Sequence, residues 1–68
     1  MQYPQKLKEL RKEHNLNQTE VAEVLNIKQT VYSRYERNEN EMPIKHLIQL
    51  AQFYKVTTDY ILGLTDER

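Results

Sequence analysis

Apolar residues recur along this chain three and four positions apart almost everywhere, and no window alternates strictly enough to suggest a strand. Five helices are predicted from that pattern. The first covers about residues 4–14, with Pro4 tolerated in its opening turn and Leu7 and Leu10 facing inward beside Tyr3. The second begins at Asn17, whose side chain can accept from freed backbone N–H groups while Glu20 bonds back, a capping box. It buries Val21, Ala22 and Leu25. The third covers about residues 28–37 and turns Val31, Tyr32 and Tyr35 inward. After a polar loop over residues 38–42, Pro43 opens the fourth, where Ile44, Leu47, Ile48, Leu50, Ala51 and Tyr54 form the densest apolar face in the chain. Thr57 caps the fifth, Asp59 lies near its positive dipole end, and Gly63 ends it; residues 65–68 are expected to fray. The expected fold class is all-α, a compact bundle of five short helices forming one domain over residues 1–68.

The stretch NQTEVAEVLNIKQTVYSRYERN, residues 17–38, contains two short helices joined by a tight turn, and so brief a turn forces them to cross steeply. The turn needs a residue at ease with positive φ. Asn26 is the best choice after glycine, because its short polar side chain can bond locally there.

These residues resemble the helix-turn-helix of the Cro and phage-repressor (XRE-type, lambda-repressor-like) DNA-binding domains. The flanks LKELRKEHNL and MPIKHLIQLAQFYKVTTDYILGL are similar to that family's first, fourth and fifth helices, and the match extends over about positions 6–64. Gln18 opening the second helix, Ala22 where the two helices touch, Ser33-Arg34-Tyr35-Glu36 closing the third and Asp59-Tyr60-Ile61-Leu62-Gly63 near the end all fall in register. The departures lie at turns. Asn15, Asn26, Asn38 and Lys55 stand where the family usually has glycine, and Lys28 stands where it often has a serine cap.

The resemblance implies that the third helix enters a major groove. Gln29, Thr30, Ser33 and Arg34 share its outer face and are the expected base-reading set; Gln suits adenine and Arg suits guanine. It also implies that Gln18 holds a phosphate. Lys28, Arg37, Asn38 and Asn40 flank the reading face and are expected on backbone oxygens, which fix register without reading sequence. Glu39 and Glu41 would repel phosphate, so the loop carrying them is expected to stand back. Arg11 and Glu36 are expected to pair as a structural tie, following the family. Four tyrosines sit on apolar stripes, while Tyr60, Ile61 and Leu64 are the expected contact with a second copy, since a homodimer is implied.

Composition narrows the alternatives. With 68 residues, the chain buries only about 60% of the surface its unfolded form exposes. It has no cysteine, which excludes disulfides, thiolate zinc sites and a cysteine nucleophile. His14 and His46 lie far apart and are expected to be exposed, so no metal is anticipated. Ser33 has no triad partners, a single glycine allows no phosphate-cradling loop, and an enzyme is not expected. No cofactor, small-molecule ligand or membrane partner is evident, and the expected setting is cytoplasmic. Net charge is zero, yet residues 1–37 carry seven Lys and Arg against five Glu, and the remainder carries three against five acids. The expected function is sequence-specific binding of a double-stranded, near-palindromic operator by a dimeric repressor. Two other readings stay open: the N-terminal piece of a longer repressor, and a protein-interaction module of the same fold, such as an antitoxin or repressor-neutralising partner.

Overall fold

The computed structural model describes residues 3–68, in which five helices follow in order: α1 (Tyr3–Glu13), α2 (Gln18–Leu25), α3 (Gln29–Glu36), α4 (Ile44–Tyr54) and α5 (Thr58–Leu62). No strand occurs among the described residues. The fold is all-α. Helix α2 packs mainly on α3, α1 touches α3 and α5, and α4 touches α5 and α2. Leu7, Leu10, Val21, Leu50, Ile61 and Tyr32 fill the centre and are fully buried.

Local signals set the helix ends. The Asn17 side chain accepts from the Glu20 N–H at 2.8 Å, and the Asn17 N–H donates to Glu20 Oε1 at 3.0 Å, completing the capping box. Thr57 Oγ1 accepts from the Tyr60 N–H at 3.0 Å. Asn15, Asn26, Asn38 and Lys55 all adopt left-handed backbone with φ of 57–58°, and Gly63 joins them at 79°. Asparagine is the residue after glycine that tolerates this conformation, since its short polar side chain is able to bond locally; lysine lacks that option, and Lys55 keeps the clash of its Cβ with the following carbonyl.

Three expectations are corrected here. Ile44 and Ile48, assigned to the inner face of α4, are 73% and 44% exposed. The helix is covered along one side only, so its apolar stripe is wider than the core that receives it. His46 is buried rather than exposed, because α4 turns it against Tyr35, whose hydroxyl lies 3.2 Å from Nδ1. The tail over residues 65–68 folds back instead of fraying. Arg68 makes two 2.6 Å bonds to the Glu13 carboxylate and lies over the Tyr60 ring.

The tie between distant parts of the chain is ionic. Arg11 on α1 donates from Nε to Glu36 Oε2 at 2.8 Å and from Nη2 to Glu36 Oε1 at 3.2 Å, with both side chains largely removed from water. Its Nη1 donates to the Leu16 carbonyl at 3.0 Å, which fixes the turn into α2. Burial pushes the Glu36 carboxyl upward, but hydrogen bonding from Arg11 and its neighbours and the Arg11 charge outweigh it, and the group is held below the ordinary carboxylate value of 4.5. Burial, aided by the Lys45 charge, holds His46 below its ordinary 6.5.

Three outcomes are expected. Removing one partner of the buried pair, as in Arg11→Met, costs about 3–5 kcal/mol in urea unfolding, a large share of the roughly 3–10 kcal/mol available to a chain of this length. Lys55→Gly relieves the left-handed strain and raises stability by about 0.5–1 kcal/mol, read as a higher thermal midpoint. Because both folded values are depressed, the stabilisation from His46 and Glu36 is complete above their unfolded values and is lost as pH falls through the folded ones. Urea midpoints should therefore decline first below about pH 6.5 and again below about pH 4.5, and His46→Gln should remove the first decline alone.

Candidate nucleic-acid interface

The turn between α2 and α3 is closed by backbone bonds. Asn26, left-handed, sends its N–H to the Ala22 and Glu23 carbonyls, and the Ile27 N–H reaches the Ala22 carbonyl at 3.0 Å. Lys28 then caps α3 with extended backbone and no side-chain bond, so the first turn of α3 has N–H groups without a side-chain partner. Such groups attract anions. On the inner face Tyr32 is fully buried and Tyr35 nearly so, which fixes the rotation of α3 and turns the opposite face outward. That face brings together Thr30 and Arg34, exposed, with Gln29 and Ser33, half-buried. An outward helix face bearing amide, hydroxyl and guanidinium groups has the chemistry that a major groove admits.

The phosphate candidates divide into groups. Lys28, Asn38 and Asn40 are exposed, with Lys28 at the start of α3 and the two asparagines beyond its end. Asn38 closes α3 in left-handed backbone, and the Glu39 N–H returns to the Arg34 carbonyl at 2.9 Å, folding the loop onto the helix end. Arg37 is exposed but already pairs with Glu39 at 3.2 Å, so its charge is partly offset where the reading face ends. Gln18 is half-buried and engaged. Its Nε2 donates to Glu36 Oε1 at 3.2 Å, and its Oε1 accepts from Gln29 Nε2 at 2.6 Å.

The link from Gln18 to Gln29 was not foreseen from the sequence. Each glutamine is the first residue of its helix, but their meeting depends on how α2 crosses α3, which spacing alone does not give. Two tyrosine hydroxyls, those of Tyr32 and Tyr54, are buried in the core. Burial pushes the Tyr54 phenol up to about 12 and the Tyr32 phenol higher still. Neither hydroxyl has a partner in bonding geometry, although that of Tyr32 is near enough to Glu36 to help hold the carboxylate ionised.

The expected contact with a second copy needs correction. Tyr60 is 7% exposed and Ile61 is fully buried, both within the core, and only Leu64 stands on the surface. The Lys6 ammonium and the Arg68 guanidinium both lie over the Tyr60 ring and shield it from water. All five tyrosines are therefore core residues, and none is free to stack on a single-stranded base. A separate apolar groove of about 270 Å³ is lined by Tyr3, Glu41, Met42, Ile44, Leu47 and Leu62. No described helix is long and apolar enough to cross a membrane.

Known proteins share this architecture. A helix-turn-helix family model matches residues 7–61. The HTH-type transcriptional regulator YobD of Bacillus subtilis is 43% identical over 96% of this chain, which spans 58% of that protein. The HTH-type transcriptional regulator ImmR of the same organism is 40% identical over 93% of the chain and 50% of its own length. A crystal structure of a transcriptional regulator from Listeria innocua superposes with a TM-score of 0.89 at 31% identity, over 98% of this chain and 63% of that one. The chain thus spans between half and two thirds of the length of these relatives. With the match running from α1 into α5 and the two central helices in register, the chain belongs to the helix-turn-helix family of the Cro and phage-repressor type.

Proposed function

We propose that the chain is the DNA-reading unit of a transcriptional regulator, placing α3 in the major groove while α2 crosses the backbone. The observation that carries this reading is the outward face of α3. Tyr32 and Tyr35 lock its other side into the core, leaving Gln29, Thr30, Ser33 and Arg34 on the opposite face with an uncapped helix start beside them. Lys28, Asn38 and Asn40 flank it as phosphate contacts, with Arg37 contributing less because Glu39 already pairs with it. The regulator is a repressor in that occupancy of the operator closes that DNA to other proteins.

It binds as a two-fold dimer on a near-palindromic site. The bundle measures 29 × 23 × 19 Å, smaller than the roughly 34 Å that separates half-sites one helical turn apart, so one copy serves each half-site. A neutral domain gains affinity from a second copy through effective concentration. The exposed apolar side chains of Ile44 and Leu64 and the groove lined by Leu47 and Leu62 are the surface offered to that copy. Glu41 and Lys45 lie either side of Ile44 in the chain, and a two-fold axis can set the acid of each copy against the base of the other.

The zero net charge and the Arg37–Glu39 pair favour a second reading, in which this fold docks on a protein. Selection of duplexes from a random pool by the purified chain decides between them. An enriched two-fold motif with steeply salt-dependent binding supports DNA reading, because phosphate neutralisation releases counterions; no enrichment and a flat salt response support the protein partner. On an enriched site, Arg34→Ala should lose about 1–3 kcal/mol with little loss on random duplex, whereas Lys28→Ala should weaken all sequences alike and reduce the salt slope by about one.

A further inference from the structure

We propose that Glu39, outside the base-reading set, is a specificity-determining residue: it withholds the Arg37 guanidinium from random duplex and yields it where a matched site holds a phosphate within reach. The inference rests on the reading of α3 as the groove helix. Arg37 ends α3 as its cap, and Asn38 then turns the chain through left-handed backbone at a φ of 58°. The Glu39 N–H returns to the Arg34 carbonyl at 2.9 Å, and the Asn40 N–H approaches the same carbonyl at 3.4 Å. That turn ties Glu39 to the end of α3, where its Oε2 meets Arg37 Nε at 3.2 Å. Glu36, one residue before Arg37, does not compete for it, because Arg11 holds both Glu36 oxygens at 2.8 and 3.2 Å. The backbone that positions the base reader Arg34 therefore also positions the acid that engages Arg37.

The pair is weak enough to open under competition. Its side chains are 57% and 53% exposed, and an exposed ion pair is favoured over its open form by only about 1.5- to 5-fold. On random duplex the domain is held by charge alone and in no fixed register, so no phosphate stays beside Arg37 and the carboxylate keeps it. On a matched site the base contacts of α3 fix the register. A phosphate oxygen held in one place then competes with Glu39 for the guanidinium as a charge-assisted acceptor, and Arg37 displaces a counterion on that site alone. Lys28, exposed at the other end of α3, stands in no ion pair among the described residues and displaces one on any duplex. One cation is unconditional and the other conditional, and the difference adds to discrimination without a further base contact.

The test compares the slope of log affinity against log salt on the enriched site and on random duplex, in variants whose exposed positions leave the fold intact. Arg37→Ala should reduce the slope by about one on the enriched site and leave the random slope unchanged. Glu39→Gln keeps the turn but frees Arg37. It should steepen the random slope by about one, leave the slope on the site unchanged, and raise random affinity roughly 5- to 10-fold near about 0.1 M salt, more than it raises affinity for the site. Adding Arg37→Ala to Glu39→Gln should abolish that gain; a gain that persists is plain repulsion by the carboxylate and overturns the proposal. A random slope unmoved by Glu39→Gln, or an equal loss on both duplexes in Arg37→Ala, overturns it too. Side-chain 15N relaxation at Arg37 Nε checks the pair without DNA: the guanidinium should loosen in Glu39→Gln, and identical relaxation in the two chains overturns the proposal. If the chain enriches no sequence, the DNA reading fails and this inference falls with it, whereas enrichment without these slope changes overturns the inference alone.

Discussion

The buried pair of Arg11 and Glu36 is the constraint on which the rest of the arrangement depends. Two charges withdrawn from water need every donor and acceptor met, and that requirement reaches across the molecule. Arg11 satisfies it with Glu36 and the Leu16 carbonyl, which joins α1 to the end of α3 and to the entry of α2. Glu36 satisfies it with Arg11 and Gln18, which joins α3 to the start of α2. Well-packed apolar groups can often replace a buried ion pair at no loss of stability. Here the pair supplies direction: one rotation of α3 about its axis meets both partners, and that rotation puts Gln29 and Arg34 outside.

The turns solve a different problem with a restricted alphabet. Among the described residues five positions demand left-handed backbone, and the chain has one glycine for them. Asparagine serves at Asn15, Asn26 and Asn38, each at the end of a helix whose last carbonyls are met by N–H groups of the turn. A side chain at these places reduces the freedom of the unfolded chain, which glycine would increase, so the entropic cost of folding is lowered while some strain is accepted. Lys55 shows the limit of that exchange, since its long side chain gives the backbone no local hydrogen bond.

What was legible in the sequence was local. The capping box of Asn17 and Glu20, the Thr57 cap and the stops at Asn26 and Gly63 involve partners a few residues apart, and their chemistry can be read from spacing. The inward stripe of Tyr32 and Tyr35 is equally local, and it was enough to place Gln29, Thr30, Ser33 and Arg34 on the outer face. Long-range cover was not legible. Tyr60 is buried because Lys6 and Arg68, at opposite ends of the chain, lie over its ring. His46 is buried because of where α4 crosses Tyr35, and Ile44 is exposed because, among the described residues, the core does not extend over that side of α4. Periodicity gives the direction of an apolar face but not the width of what covers it. The contact between Gln18 and Glu36 spans 18 residues and depends on the crossing of α2 with α3, a tertiary quantity.

Neutrality and DNA binding are compatible once charge is treated as local. Over more than about 8–10 Å, exposed charges are screened at physiological salt, so a phosphate responds to the few groups beside it rather than to the sum over the chain. The cations on α3 and at its two ends are Lys28 and Arg34, exposed, and Arg37, engaged with Glu39. Glu36 adds little repulsion, because its charge is met by Arg11 and withdrawn from the surface. On the proposed reading, so few cations beside α3 would confer weak affinity on any duplex and leave the directional contacts of α3 a larger share of the total. Weak general attraction would then favour selectivity: the fewer counterions a random sequence releases, the more the proposed binding depends on a matching base edge and on a second copy beside the first.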